Sequence, residues 1–209
     1  MTLLQLIGEP PPEQITKVTL PGGNPAYQFS SAAVMGQLAV AHVPNPLFRH
    51  FSLIFYIKPF TPAAAVLFSI TDAPQKLMYI GIKLSAVQSG RQKLRFFYTE
   101  PDSEASYEAA SFDLPSLENS WGRFALSVLE DQVTFYSECD MEPQVVKFER
   151  SPDAMELDPG AGIFVGQAGG ADPDKFEVIF LKIDWPTSFL WLLIVRFSQD
   201  YLITHPFIM

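Results

Sequence analysis

The sequence predicts an all-β domain, an antiparallel sandwich or jelly roll. Three observations carry this. Short apolar segments recur at about 8–12 residue spacing, bounded by turn residues. No window of helical length keeps a 3.6-residue period. Prolines and phenylalanines, 18 of each against 12 glycines, suit strands separated by proline-marked loops. There is no βαβ rhythm, Gly-X-Y repeat or heptad run.

The elements follow in order. FSLIFYIK (51–58) alternates: Phe51, Leu53, Phe55 and Ile57 share one face, and Ser52, Ile54, Tyr56 and Lys58 the other. That is the pattern of a strand with one side on a core. Pro59 and Pro62 end it. AVLFSITD (65–72), KLMYIGIKL (76–84) and, after a turn at Ser89-Gly90, KLRFFYT (93–99) read as three further strands. A strand is expected near Ser106–Leu114. Trp121 to Leu129 and Gln132 to Cys139 form a hairpin across Glu130-Asp131, and GIFVGQ (162–167) is another short strand.

The 209 residues suit one domain with a sizeable core. Net charge is −9, and an acidic surface repels phosphate backbones, so nucleic acid is not an expected partner. The start, MTLLQLIGEPPPEQ, lacks the basic region of a signal peptide, and its apolar stretch stops at Gly8. Near the other end SFLWLLIVRF (188–197) holds seven apolar residues in a row, Phe189 to Val195. A bilayer span takes about 20, and Asp184 and Pro186 on one side and Arg196, Gln199 and Asp200 on the other prevent extension. No transmembrane segment is expected.

Few side chains point to chemistry. In ECDME, Glu138, Asp140 and Glu142 alternate, and paired carboxylates on a strand are what a jelly-roll glycosidase uses. The segment runs into Pro143 beside no sugar-stacking strand, so a solvated strand end is the better reading. His42, His50 and His205 are scattered outside any zinc-binding spacing. Asp172 and Asp174 in ADPDKF are oxygen ligands suited to calcium, but two carboxylates do not make a site. GAGIFVGQAGG (160–170) matches no phosphate-binding loop and reads as a tight turn around a strand. The stretch 99–119 holds six acidic residues and no basic one, and its start, before the strand expected near Ser106–Leu114, reads as a solvated connection. Arg91, Lys93 and Arg95 differ: in RQKLR they alternate, so on a strand they share one face. Three aligned cations are candidates for the sulfate or carboxylate groups of a glycosaminoglycan. No catalytic, cofactor or metal residue is assigned.

Several stretches together resemble a known family. TLLQLIGEPPPEQ, NPAYQF (24–29), FRHFSLIFYIKP (48–59), VLFSITDAPQ (66–75), GIKLSAVQSG (81–90), FYTEP (97–101) and GAGIFVGQAGGADPDKF (160–176) look like the thrombospondin N-terminal-like domain. That domain belongs to the laminin-G-like group. The version most resembled opens the multiplexin collagens, type XVIII first and type XV second. The resemblance implies a laminin-G-like, concanavalin-like β-sandwich that is secreted, non-enzymatic and without cofactor. Its setting would be a basement-membrane collagen that trimerises through collagenous segments absent here. Matrix proteins or glycosaminoglycans are the implied partners, since related domains in thrombospondins bind heparin.

The resemblance also implies that Cys139, the single cysteine, matches one half of a family disulfide whose second cysteine this sequence lacks. The match stops after Phe176 or Glu177. Two units are therefore expected: residues 1–183 as the laminin-G-like domain, and 184–209 as a divergent apolar tail. That tail resembles an alternative or mispredicted exon rather than part of the family's fold. In EVIFLKI, Ile179, Leu181 and Ile183 alternate and are expected to supply an edge or closing strand.

Overall fold

The computed structural model describes residues 2–20, 23, 25–33, 36–137 and 142–184. Among these residues thirteen strands form two sheets: β1 (Ile15–Thr19), β2 (Pro25–Phe29), β3 (Gly36–Leu38), β4 (Phe51–Pro59), β5 (Ala65–Thr71), β6 (Met78–Leu84), β7 (Arg91–Tyr98), β8 (Tyr107–Pro115), β9 (Gly122–Leu129), β10 (Gln132–Ser137), β11 (Gln144–Lys147), β12 (Gly162–Val165) and β13 (Val178–Asp184). One sheet has seven strands in the order β1-β2-β13-β4-β9-β10-β11, and the other six in the order β3-β12-β5-β6-β7-β8. All pairings are antiparallel. The all-β sandwich expected from the sequence is the fold observed. A short helix, α1 (Leu3–Ile7), and a 3-10 turn at Ala39–Ala41 are too brief for a helical period to register.

The core lies between the sheets. On β4 the residues expected to face inward do so: Phe51, Leu53, Phe55 and Ile57 are all buried. Phe55 stacks on Phe124 of β9 at 5.2 Å, and Phe135 of β10 stacks at 5.3 Å on Phe112 of β8, joining the two sheets. β5 is buried along its whole length. Its inner face meets the core, while residues 166–171 cross its outer face. There Val66, Met78 and Ala168 form a small second cluster. Gly166 and Gly169, both at positive φ, let the chain turn onto this face, where Ser69 Oγ donates to Gln167 O at 2.8 Å.

The hairpins match the turn signals in the sequence. Ser89 and Gly90 both have positive φ, as a two-residue hairpin turn of the primed type requires, with Gln88 bridged to Arg91. Glu130 turns the β9–β10 hairpin at φ 51°.

The strand expected over EVIFLKI forms as β13. Of the edge or closing positions expected for it, it takes the inner one, joining β2 to β4, and Val178 and Phe180 are among the core residues it supplies. Phe180 meets Phe29 edge-on at 5.0 Å and Phe176 at 6.0 Å. The pairing with β4 shifts between Phe180 and Lys182, so a strict two-residue alternation does not describe the strand. Glu138, Cys139 and Asp140 lie outside the described residues, as does the expected tail apart from Asp184. Among the described residues no helix is long and apolar enough to cross a membrane.

Candidate functional site

The outer face of the six-stranded sheet collects the charge. β7 alternates from exposed Arg91 through buried Gln92, Leu94 and Phe96, so Arg91, Lys93 and Arg95 project from one face. β6 and β8 flank it, placing Lys83 opposite Arg95 on one side and Asp113 opposite Lys93 on the other. Like charges directly opposite on neighbouring strands repel. Each of the two inner cations has its own acidic partner. Arg95 Nε donates to Glu108 Oε2 at 2.6 Å, and the guanidinium lies 5.1 Å from the centre of the Phe97 ring. Lys83 Nζ is 2.6 Å from Asp172 Oδ2 and 2.6 Å from Asp174 Oδ2.

Arg91 and Lys93 stand differently. Both are exposed and neither belongs to an ion pair among the described residues. Beside them is a cleft of about 440 Å³, open to solvent. Its walls include Ser85 and Gln88 from the β6–β7 connection, the three cations, and the carboxylates of Glu108 and Asp113. The backbone holds this wall firmly. Lys93 N donates to Ser85 Oγ at 2.9 Å, and Ser85 N to Lys93 O at 2.8 Å.

The other candidates separate. Asp172 and Asp174 are brought together, and the place a cation would take between them holds the ammonium of Lys83. Asp174 N donates to Asp172 Oδ1 at 2.9 Å, fixing the carboxylate pair. His42 pairs with Gln37, and His50 Nε2 lies 2.9 Å from Glu130 Oε1, far apart in the chain's connections. His205 is outside the described residues. Arg49 and His50 together hold the Glu130 carboxyl below its usual pKa, the hydrogen bond from Arg49 first. Glu142 is exposed ahead of β11. Among the described residues no three His, Cys, Asp or Glu side chains gather as metal ligands would.

Glu108 and Asp113 were not singled out in the sequence, where they fall in the acidic stretch 99–119. The signal was there in weak form. Pairing RQKLR antiparallel with SFDLP sets Asp113 against Lys93.

No protein-family model matches the chain. Three solved structures show the class of fold. A tailspike protein of the Escherichia coli O157:H7 bacteriophage CAB120 aligns with a TM-score of 0.58 at 13% identity, over 88% of this chain and 26% of that one. A heptameric SAP-like pentraxin from Limulus polyphemus aligns at 0.54 and 12% identity, over 82% and 74%. Domain 4 of a GH43 arabinanase from Geobacillus stearothermophilus aligns at 0.52 and 15%, over 85% and 77%. The chain therefore has the lectin-like jelly-roll sandwich. The human collagen alpha-1(XVIII) chain is 46% identical over 181 residues, 87% of this chain and 10% of that one. The chain belongs to this family as its laminin-G-like, thrombospondin N-terminal-like domain, an extracellular-matrix module spanning about a tenth of the length of its curated relative.

Proposed function

We propose that the chain is a non-enzymatic, secreted module serving structural and adhesive recognition in the matrix, and that it makes contact through the outer face of β6, β7 and β8. The domain, taken as residues 1–183, would do this without a cofactor. The observation that carries the reading is the pair Arg91 and Lys93. They are exposed, point the same way, and border a cleft while the neighbouring cations are occupied by acids. Exposed donors with no ion-pair partner among the described residues are available to an anionic group of another molecule. The size of the cleft, about 440 Å³, falls in the roughly 300–1,000 Å³ range of small-ligand sites.

The test is binding of the full chain to wells coated with basement-membrane extract. Replacing Arg91 and Lys93 by serine is expected to remove most of the binding while circular dichroism stays unchanged. Undiminished binding by the folded double variant would overturn the reading.

A second reading is glycosaminoglycan binding through Arg91, Lys93 and Arg95 together, favoured by their common face. Retention on heparin that falls steeply with salt, and is lost when all three are replaced, would support it. Flat, negligible retention would remove it. The Arg95–Glu108 pair and the overall charge of −9 weigh against a strong polyanion contact.

A further inference from the structure

The occupant of the cleft can be narrowed by charge, on the premise that the face around Arg91 and Lys93 is the contact surface. A densely sulfated chain lying along Arg91, Lys93 and Arg95 would pass beside two carboxylates. Asp113 is the cross-strand partner of Lys93, and Glu108 holds Arg95. Both carboxylates line the cleft with the cations. To take up a third sulfate, Arg95 would have to leave Glu108 and strand that carboxylate beside the polyanion. The cleft as built has three cations and two anions, which does not match a sulfate at every turn of a ligand.

The same five groups match another chemistry. Ionised carboxylates only accept hydrogen bonds, and the hydroxyls of a saccharide donate them. Arginine and lysine donate to an isolated carboxylate, arginine in bidentate geometry. We infer that the cleft takes a hydroxyl-rich saccharide bearing isolated carboxylates, of the unsulfated uronic-acid type. One ligand carboxylate is received by Arg91 and Lys93, and adjacent ring hydroxyls donate to Asp113 and Glu108. Gln88 and Ser85, both in the wall, add neutral partners for the remaining hydroxyls. The Arg95–Glu108 pair then has a positional role, holding the Glu108 acceptor toward the cleft. The acids on β8 belong to the site and do not merely neutralise it.

The sign of one substitution separates the two ligand classes. Asp113→Asn keeps the shape of the side chain and removes its charge. It weakens a ligand that donates hydroxyls to Asp113, and strengthens a polyanion that Asp113 repels. The experiment titrates the full chain, by chemical-shift changes, with hyaluronan tetrasaccharide, heparin tetrasaccharide and neutral chitotetraose. The hyaluronan probe is expected to bind at least about ten-fold more tightly than chitotetraose, the scale of one hydrogen bond to a charged group. D113N is expected to weaken it by about ten-fold, and R91S by as much or more. No hyaluronan binding, or D113N leaving it unchanged, would overturn the inference. So would heparin binding more tightly and tighter still in D113N, though that result would leave the contact face standing if R91S/K93S abolishes it. Insensitivity of all three probes to R91S/K93S would remove both the inference and the face it rests on.

Discussion

Lys83 Nζ and Asp172 Oδ2 are 2.6 Å apart across 89 residues of sequence, and each side chain is only 11% exposed. With Asp174 the lysine forms a three-membered ionic cluster that fastens the segment after β12 to the outer face of β6. Removing one partner of a largely buried ion pair leaves an uncompensated charge. Lys83→Met leaves two carboxylates facing each other, and should cost about 2–4 kcal/mol in urea unfolding, discounted because Asp174 is partly exposed. Millimolar calcium should recover part of that loss in the variant and raise the melting temperature of the native chain little, since the ammonium holds the place between the carboxylates. Equal responses of the two proteins to calcium would refute this account.

Phe164 of β12 lies against the two glycines that flank its ring. A Cβ at Gly36 would meet the Phe164 ring at 2.2 Å, and one at Gly162 would meet it at 2.5 Å. The ring covers backbone that a side chain would otherwise occupy. Gly36→Ala should displace the ring and lower stability by about 1–3 kcal/mol, the range for overpacking. An unchanged denaturation midpoint would show that the ring moves aside freely.

The sheets are held together by stacked aromatics. Phe135 meets Phe112 across the sandwich at 5.3 Å and Phe124 beside it at 6.0 Å. Phe135→Ala should cost about 3–5 kcal/mol by loss of buried surface and by the cavity left. Single domains are stable by roughly 5–15 kcal/mol, so this variant should be partly unfolded near its working temperature. A loss under about 1 kcal/mol would mean that the core collapses around the vacancy.

Alkaline pH should unfold the domain along a defined window. Burial, and then the hydrogen bond to Asp158, push the Tyr79 hydroxyl from 10.0 to about 12. Burial, and then the Glu100 charge, do the same for Tyr107, again to about 12. The folded state holds these protons where the unfolded state has released them. The stability they contribute is therefore complete below pH 10 and lost as pH rises through about 12. Tyr79→Phe should flatten that decline, as read by unfolding midpoints at successive pH values. Tyrosinate absorbance of the native chain should lag behind that of the unfolded chain over the same range. Coincident titration curves would exclude the shift.

How far the sequence reached differs from element to element. FSLIFYIK was legible because one face is core and the other is not, so burial follows alternation. AVLFSIT was legible as a strand, but its second buried face was not, because the cover comes from residues 166–171. β1, β2, β3 and β11 are short, and β1 and β11 lie at the edges of their sheet with mixed burial, so their patterns are weak. Val178–Asp184 was legible as an edge or closing strand, and the pairing with both β2 and β4 decides between the two. A strand's sequence records its faces, whereas its neighbours are fixed by segments far away.

The same division runs through the site. The sequence by itself determined the all-β class, the inward face of β4, the two-residue turns at Ser89-Gly90 and Glu130-Asp131, and the common face of Arg91, Lys93 and Arg95. Each of these depends on backbone geometry repeating every one or two residues. Only the tertiary structure decided which of those cations pair with an acid among the described residues. Arg95 is claimed by Glu108 from the next strand, and Lys83 by a loop nearly ninety residues on. Arg91 and Lys93 remain exposed, with Asp113 set opposite Lys93 by the register of β7 on β8. Charges act through space over several ångströms, so the partner of each is set by strand register and loop path and not by its place in the chain.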